Sequence, residues 1–178
     1  VIAGCSKEEN ADRCRVSVSI DTGTYTCKSI DPEESKVTDI SIMVFDEYGR
    51  AEATAWLTGN TSRPYSMTLT SGRKYRFVAC VNFGYRINLD HASALTGIKY
   101  HMAYPDEYRN GIPMYADTGY ILVKDACQVH MKLTRLMSKI SIRMDRSRLS
   151  KDVEMIVAGI RIGNCPKHTS VFKDNAVN

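Results

Sequence analysis

The sequence predicts an all-β fold of about seven strands with one short helix in a long crossover, arranged as a β-sandwich or a barrel. Three observations predict it. Apolar residues recur at every second position through most of the chain, the repeat of a strand with one buried face. Glycine-bearing turn sequences separate these runs at short intervals. Tyrosines and β-branched residues fill the runs, as suits a pleated, half-buried surface.

The first strand spans Cys14 to Ile20, with Val16, Val18 and Ile20 alternating with Arg15, Ser17 and Ser19. Val37, Ile40, Ile42 and Val44 head the second, with Met43 and Phe45 on its other face. Asp46-Glu47-Tyr48-Gly49 then reads as a hairpin turn with glycine at the left-handed position. Ala53 to Leu57, carrying Trp56, is the returning strand. Tyr65, Met67 and Leu69 form the next, and Ser71-Gly72 turns it into the run Tyr75, Phe77, Ala79 and Val81. Leu89, Ala92, Leu95 and Ile98 have helical spacing and predict a short helix ending at Gly97. The stretch from Tyr100 to Met114 is irregular, a long connection of the kind that is functional or covers a sheet edge. Asp117-Thr118-Gly119 marks another turn. Val129, Met131 and Leu133, then Ile140, Ile142 and Met144, then Val153 to Ile162 supply the remaining strands. Periodicity is lost from Lys167 to Asn178, which reads as a linker or the start of a further, missing C-terminal domain.

The amino end carries a different kind of signal. Val1-Ile2-Ala3-Gly4-Cys5 has the form of the end of a bacterial lipoprotein signal: an apolar run, two small residues and a cysteine. Residues 1–4 are then signal remnant, and Cys5 is the lipidated residue that anchors the chain to a membrane. Ser6 to Asp12 has no apolar periodicity and reads as a flexible tether, residues 5–12 in all, ahead of a β-domain over 13–166. The acidic patch after the cysteine resembles the surface-export signal of lipoproteins in Bacteroidetes-type bacteria.

Composition excludes several function classes. The chain has 178 residues, 43% hydrophobic and 25% charged, the proportions of an ordinary globular domain. No apolar run is long enough for a spanning helix. A net charge of +4, with basic residues scattered, does not mark a nucleic-acid binder.

Six cysteines are present: Cys5, Cys14, Cys27, Cys80, Cys127 and Cys165. None has the spacing of a zinc site. Cys80 and Cys127 lie inside alternating runs and read as buried thiols. Cys14 and Cys27 flank a short polar stretch and could pair in an oxidising compartment, provided that their Cα atoms come within about 7 Å. No nucleophile elbow, phosphate loop or metalloprotease motif occurs. His91 and His101 could approach each other but lack a carboxylate partner at defined spacing, and His130 falls on an outer strand face. Asp31, Glu33 and Glu34 read as a solvated acidic loop. The sequence therefore predicts no enzyme, cofactor or metal.

Four elements carry a family likeness. Val37 to Gly49 resembles the "V-x-x-I-x-I-x-V-F-D-x-x-G" signature of the fimbrillin superfamily, the subunits of Bacteroidetes type V fimbriae. Leu69 to Asn82 is similar to the family's "L-x-x-G-x-x-Y-x-F-x-A-x-x-N" hairpin. Gly111-Ile112-Pro113-Met114 resembles its "IPM" element, and Leu133 to Ile140 its "L-x-R-x-x-A-K-I" strand. The resemblance implies a transthyretin-like or immunoglobulin-like β-sandwich, one of two in a full subunit. It implies a lipoprotein exported through the periplasm to the outer membrane and cell surface, within a fimbrium that serves adhesion. Its partners would be other fimbrial subunits, joined by strand addition: a first strand leaves and a neighbour's strand fills the groove. Here the donor or first strand would be that of Val16, Val18 and Ile20, and Ile40, Ile42, Val44, Ile140 and Ile142 would wall the groove.

One departure bears on the role. In shaft subunits of that family a protease cuts after an arginine ahead of the "V-x-x-I" strand. Residues 21–36 contain no arginine; the corresponding place reads Thr26-Cys27-Lys28, and the nearest upstream arginines are Arg13 and Arg15. Retention of strand and lipid then implies an anchor-type minor subunit. A second reading is a glycan- or ligand-binding surface lipoprotein of the same fold, with an aromatic platform drawn from Trp56, Tyr100, Tyr104, Tyr108 and Tyr115. Asp106 and Glu107 could contact such a ligand.

Overall fold

A computed structural model describes residues 12–21, 36–59, 63–101, 110–137, 140, 142–164 and 166–172. It contains β1 (Arg13–Asp21), β2 (Asp39–Asp46), β3 (Ala51–Thr58), β4 (Tyr65–Thr70), β5 (Arg73–Val81), β6 (Lys99–His101), β7 (Met114–Val123), β8 (Cys127–Lys132), β9 (Thr134–Arg135) and β10 (His168–Ser170). A three-stranded sheet of order β4-β1-β8 faces a five-stranded sheet of order β3-β2-β5-β7-β9, and β10 and β6 form a small ribbon. The fold is thus an all-β sandwich. One core lies between the sheets, where Val16, Val18, Leu69, Val129 and Met131 meet Ile40, Ile42, Val44, Phe77 and Ala79.

The hairpins follow from their turn residues. Gly49 adopts φ 82°, open to glycine at no steric cost. The Asp46 carboxylate accepts the backbone N–H groups of Tyr48 (3.0 Å) and Arg50 (2.8 Å), which closes the β2–β3 turn. Gly72, at φ 80°, turns β4 into β5. Across that turn the buried Tyr75 hydroxyl accepts from the Thr70 N–H (3.2 Å) and stands 3.3 Å from the Thr70 carbonyl, to which it donates.

Every residue of β2 is buried, because both of its faces are covered. A second apolar cluster lies on the outer face of the large sheet. There Met43, Phe45, Val78 and Cys80 pack beneath Phe83, Ile87, Ala92 and Leu95 of the crossover. The predicted helix is present as a 3-10 helix, Ala92–Gly97, with the His91 side chain accepting from the Ser93 N–H at its start.

Four stretches differ from the sequence reading. The Asp117-Thr118-Gly119 turn is a bulge inside β7. Arg76 pairs with Tyr120 and Val78 with Asp117, so two residues, Thr118 and Gly119, face Phe77 alone. The Phe77 N–H donates to Thr118 Oγ1 (3.1 Å), which keeps the strand in the sheet across the irregularity.

The described residues of the runs at Ile140–Met144 and Val153–Ile162 form no strand. Ile140 and Ile142 are 69% and 57% exposed and so do not wall the inter-sheet core. Their alternation is intact, but no strand among the described residues pairs with them.

Finally, the tail read as linker supplies β10, and the next two residues, Val171 and Phe172, are buried in the second cluster. The folded body therefore extends past the expected boundary at residue 166.

Candidate strand-exchange groove

β1 occupies the middle of the three-stranded sheet. It runs antiparallel to β4, with Val16 opposite Met67, and parallel to β8, with Val16 opposite Cys127. Neither neighbour is joined to β1 by a tight turn; their partner residues stand about 50 and 110 positions away along the chain. β4 and β8 do not pair with each other. Taking β1 away would leave a slot one strand wide, with hydrogen-bonding edges on both sides and apolar floor beneath.

The alternation read from the sequence sets what β1 offers that slot. Cys14, Val16 and Val18 point inward and are buried, and Ile20 is partly buried against the same cluster. Ile40, Ile42 and Val44 lie in that cluster from the opposite sheet, as the floor. The two fully buried valines alone are worth roughly 3–6 kcal/mol of apolar transfer. That is a large share of the roughly 5–15 kcal/mol by which a domain is stable.

The outward face of β1 is polar. Arg13 and Arg15 are exposed and pair in register with Thr70 and Thr68, and Arg15 donates to Ser66 Oγ at 3.4 Å. Ser19 Oγ meets His130 Nδ1 of β8 at 2.6 Å on the same face. The backbone of both arginines is thus part of a sheet.

Cys14 is a buried free thiol and Cys127 a half-buried one. Burial, with a smaller effect of Cys14, pushes the Cys127 thiol above its ordinary range. Cys5, Cys27 and Lys28 lie outside the described residues, and with them the lipid site and the Cys14–Cys27 pair.

The remaining candidates are dispersed. Trp56 is half-buried on β3, the Tyr100 ring packs edge-on against Phe83 (5.2 Å), and Tyr115 packs against Phe172 (5.3 Å). These three serve the second cluster or a sheet face rather than forming one platform. Tyr104, Asp106, Glu107 and Tyr108 lie outside the described residues. His91 bonds to Tyr48 and Ser93, whereas the His101 ring stands 4.8 Å from that of His168. Among the described residues no group of three metal-ligating side chains converges, and no helix is long and apolar enough to cross a membrane.

No protein-family model and no curated protein matches the chain. Solved structures do. A fimbrilin (FimA) from Porphyromonas gingivalis W83 superposes with a TM-score of 0.55 at 13% identity, over 69% of this chain and 40% of that one. It has the fold of a fimbrillin. The tip fimbrial protein Mfa3 from Porphyromonas gingivalis, C-terminally truncated, superposes with a TM-score of 0.51 at 15% identity, over 70% of this chain and 49% of that one. The chain therefore spans less than half the length of either fimbrial structure. Within the fimbrillin fold, the parallel β1–β8 pairing is the feature that sequence reading missed. Alternation reports a buried face and is silent on which strands lie alongside.

Proposed function

We propose that this chain is a fimbrial subunit of the fimbrillin superfamily. In this reading it is tethered to the outer membrane through lipidated Cys5 and joins other subunits by strand complementation, so contributing to fimbria assembly and cell adhesion. The observation that carries the reading is the placement of β1 between two strands that do not pair with each other, with its inward face buried. An isolated strand contributes little structure alone, but in this slot it gains two ladders of hydrogen bonds and buries an apolar face.

The anchor-type role is favoured over a shaft role. Arg13 and Arg15 lie inside the paired strand, and residues 22–35, which follow it, hold no arginine. A subunit that keeps β1 keeps the segment bearing Cys5.

A chain lacking residues 1–21 tests the proposal. It should aggregate or melt without a cooperative transition, and a synthetic peptide of residues 12–21 should restore that transition. The same peptide carrying Val16→Asp and Val18→Asp should fail. A shortened chain with an unchanged melting temperature, or rescue by both peptides alike, would sink the proposal.

A further inference from the structure

A cavity of about 350 Å3 opens at the end of the large sheet, between the β2–β3 turn, the 3-10 helix and the bulged part of β7. It is far from featureless. Leu95 and the buried Phe172 supply an apolar floor, and Glu47 and Arg76 supply polar walls. Tyr48 and Tyr120 stand at its rim, 68% and 45% exposed.

The surrounding backbone is built to hold these groups. The β7 bulge places Tyr120 opposite Arg76 and brings Asp117 against the same guanidinium. Arg76 Nε donates to Asp117 Oδ1 at 3.0 Å, and Arg76 Nη2 donates to Asp117 Oδ2. This two-point pair fixes the guanidinium plane and leaves further N–H donors over. On the other side, the imidazole of His91 accepts the Ser93 N–H at Nδ1 (3.2 Å), so Nε2 carries the proton and donates to the Tyr48 carbonyl (3.0 Å). A Cβ at Gly49 would stand 2.9 Å from His91 Cε1, so the ring sits directly on the turn. The Arg50 guanidinium, 5.2 Å from the centre of the Tyr48 ring, steadies that ring from one side.

We propose that this cavity binds a neutral saccharide unit, a hexose or an N-acetylhexosamine. The chemistry selects that class. Tyrosine offers an apolar ring for the C–H face of a sugar and a hydroxyl for its edge. The lining carries one charged side chain of each sign, Glu47 and Arg76, so the cavity does not select an ion of either sign. The Arg76 guanidinium, held in plane by Asp117, offers its remaining N–H donors to the hydroxyls of a pyranose with little ordering left to pay on that side chain. The site is remote in kind from β1, and its ligand does not depend on strand exchange.

Saturation-transfer difference NMR on the full chain tests it, with glucose, galactose, mannose and N-acetylglucosamine at millimolar concentration as probes. At least one should give transfer. Its affinity should fall at least about fivefold in Tyr48→Ala and in Tyr120→Ala, both solvent-facing changes that leave the melting temperature in place. Tyr85→Ala removes an equally exposed tyrosine outside the cavity (54% exposed) and should bind as the parent does. Absence of transfer from all four sugars would overturn the proposal. So would unchanged affinity in both cavity variants, or an equal loss in Tyr85→Ala.

Discussion

The side-chain amide of Asn82 lies against Gly111 so closely that a Cβ at position 111 would stand 2.6 Å from Asn82 Nδ2 and 2.5 Å from the Lys36 carbonyl oxygen. Asn82 is buried at φ 62°, and its amide joins three segments. It donates to the carbonyls of Lys36 and Ile112, both at 2.8 Å, and accepts from the Thr38 N–H at 2.9 Å. Beside it Asp39 accepts the N–H groups of Phe83 and Gly84, both at 3.1 Å. Gly111→Ala combines left-handed strain with a backbone clash, and an expected cost of about 2–4 kcal/mol is measurable by urea unfolding. Asn82→Asp keeps the shape but turns two donors into acceptors facing carbonyls. It should cost at least as much as Asn82→Ala, about 2–3 kcal/mol.

Arg13 and Arg15 should resist an arginine-specific protease in the folded chain, because cleavage requires the strand to leave its sheet. Mass spectrometry after limited digestion should find residues 13–21 retained while the rest of the domain stays folded. Rapid loss of β1 from a still-folded domain would instead place the chain among subunits that release their first strand.

Asp46 should contribute to stability in a way that acid removes. Burial pushes its carboxyl upward, but the Arg50 N–H, the Arg50 guanidinium and the Tyr48 N–H together hold it below its ordinary 3.8. A group depressed on folding stabilises above its unfolded value, and that contribution is lost as pH falls below it. The urea midpoint of the parent chain should therefore fall more steeply between neutral pH and pH 3 than that of Asp46→Asn.

Cys80 should act at the opposite end of the scale. Burial pushes its thiol from 9.0 up to about 12. Its neutral form is kept on folding, so its contribution is complete below the unfolded value and is lost as pH rises from 9 toward 12. The parent chain should lose more stability than Cys80→Ala on going from neutral pH to about pH 10. Alkylation at neutral pH should modify the partly exposed Cys127 well before Cys80.

The corner around Asn82 shows what could be read from the sequence. Thr38 and Asp39 open one stretch of the family resemblance, Asn82 closes another, and Gly111-Ile112 begins a third. Their spacing gave no hint that they meet, yet the hydrogen bonds among them supply a reason for each residue type. Hairpins were legible because Gly49 and Gly72 turn short segments between alternating runs. Gly119 was misread because a glycine after an aspartate signals a turn and a bulge equally, and only the partner strand β5 decides between them. Ile140 and Ile142 were misread for a related reason: periodicity shows which face wants burial, not whether a partner is there to bury it. Val171 and Phe172 are too short a pair to show any period. Tyr48 and Tyr120 do not read as one site in the sequence, because they are far apart along the chain and each stands in a pattern that explains it locally.

The position of β1 also sets the order of events when the chain folds. It is made before the other strands described, yet its partners are residues such as Ser66 and His130, 51 and 111 positions further on. Contacts of such separation form late, because closing the intervening loops costs entropy before any pairing is gained. The hairpins β2–β3 and β4–β5 can form while β1 waits. Until β8 emerges, β1 has only the β4 edge to pair with. A chaperone or partner that reached the nascent domain in that interval would compete with β1 at its weakest, before the second ladder closes.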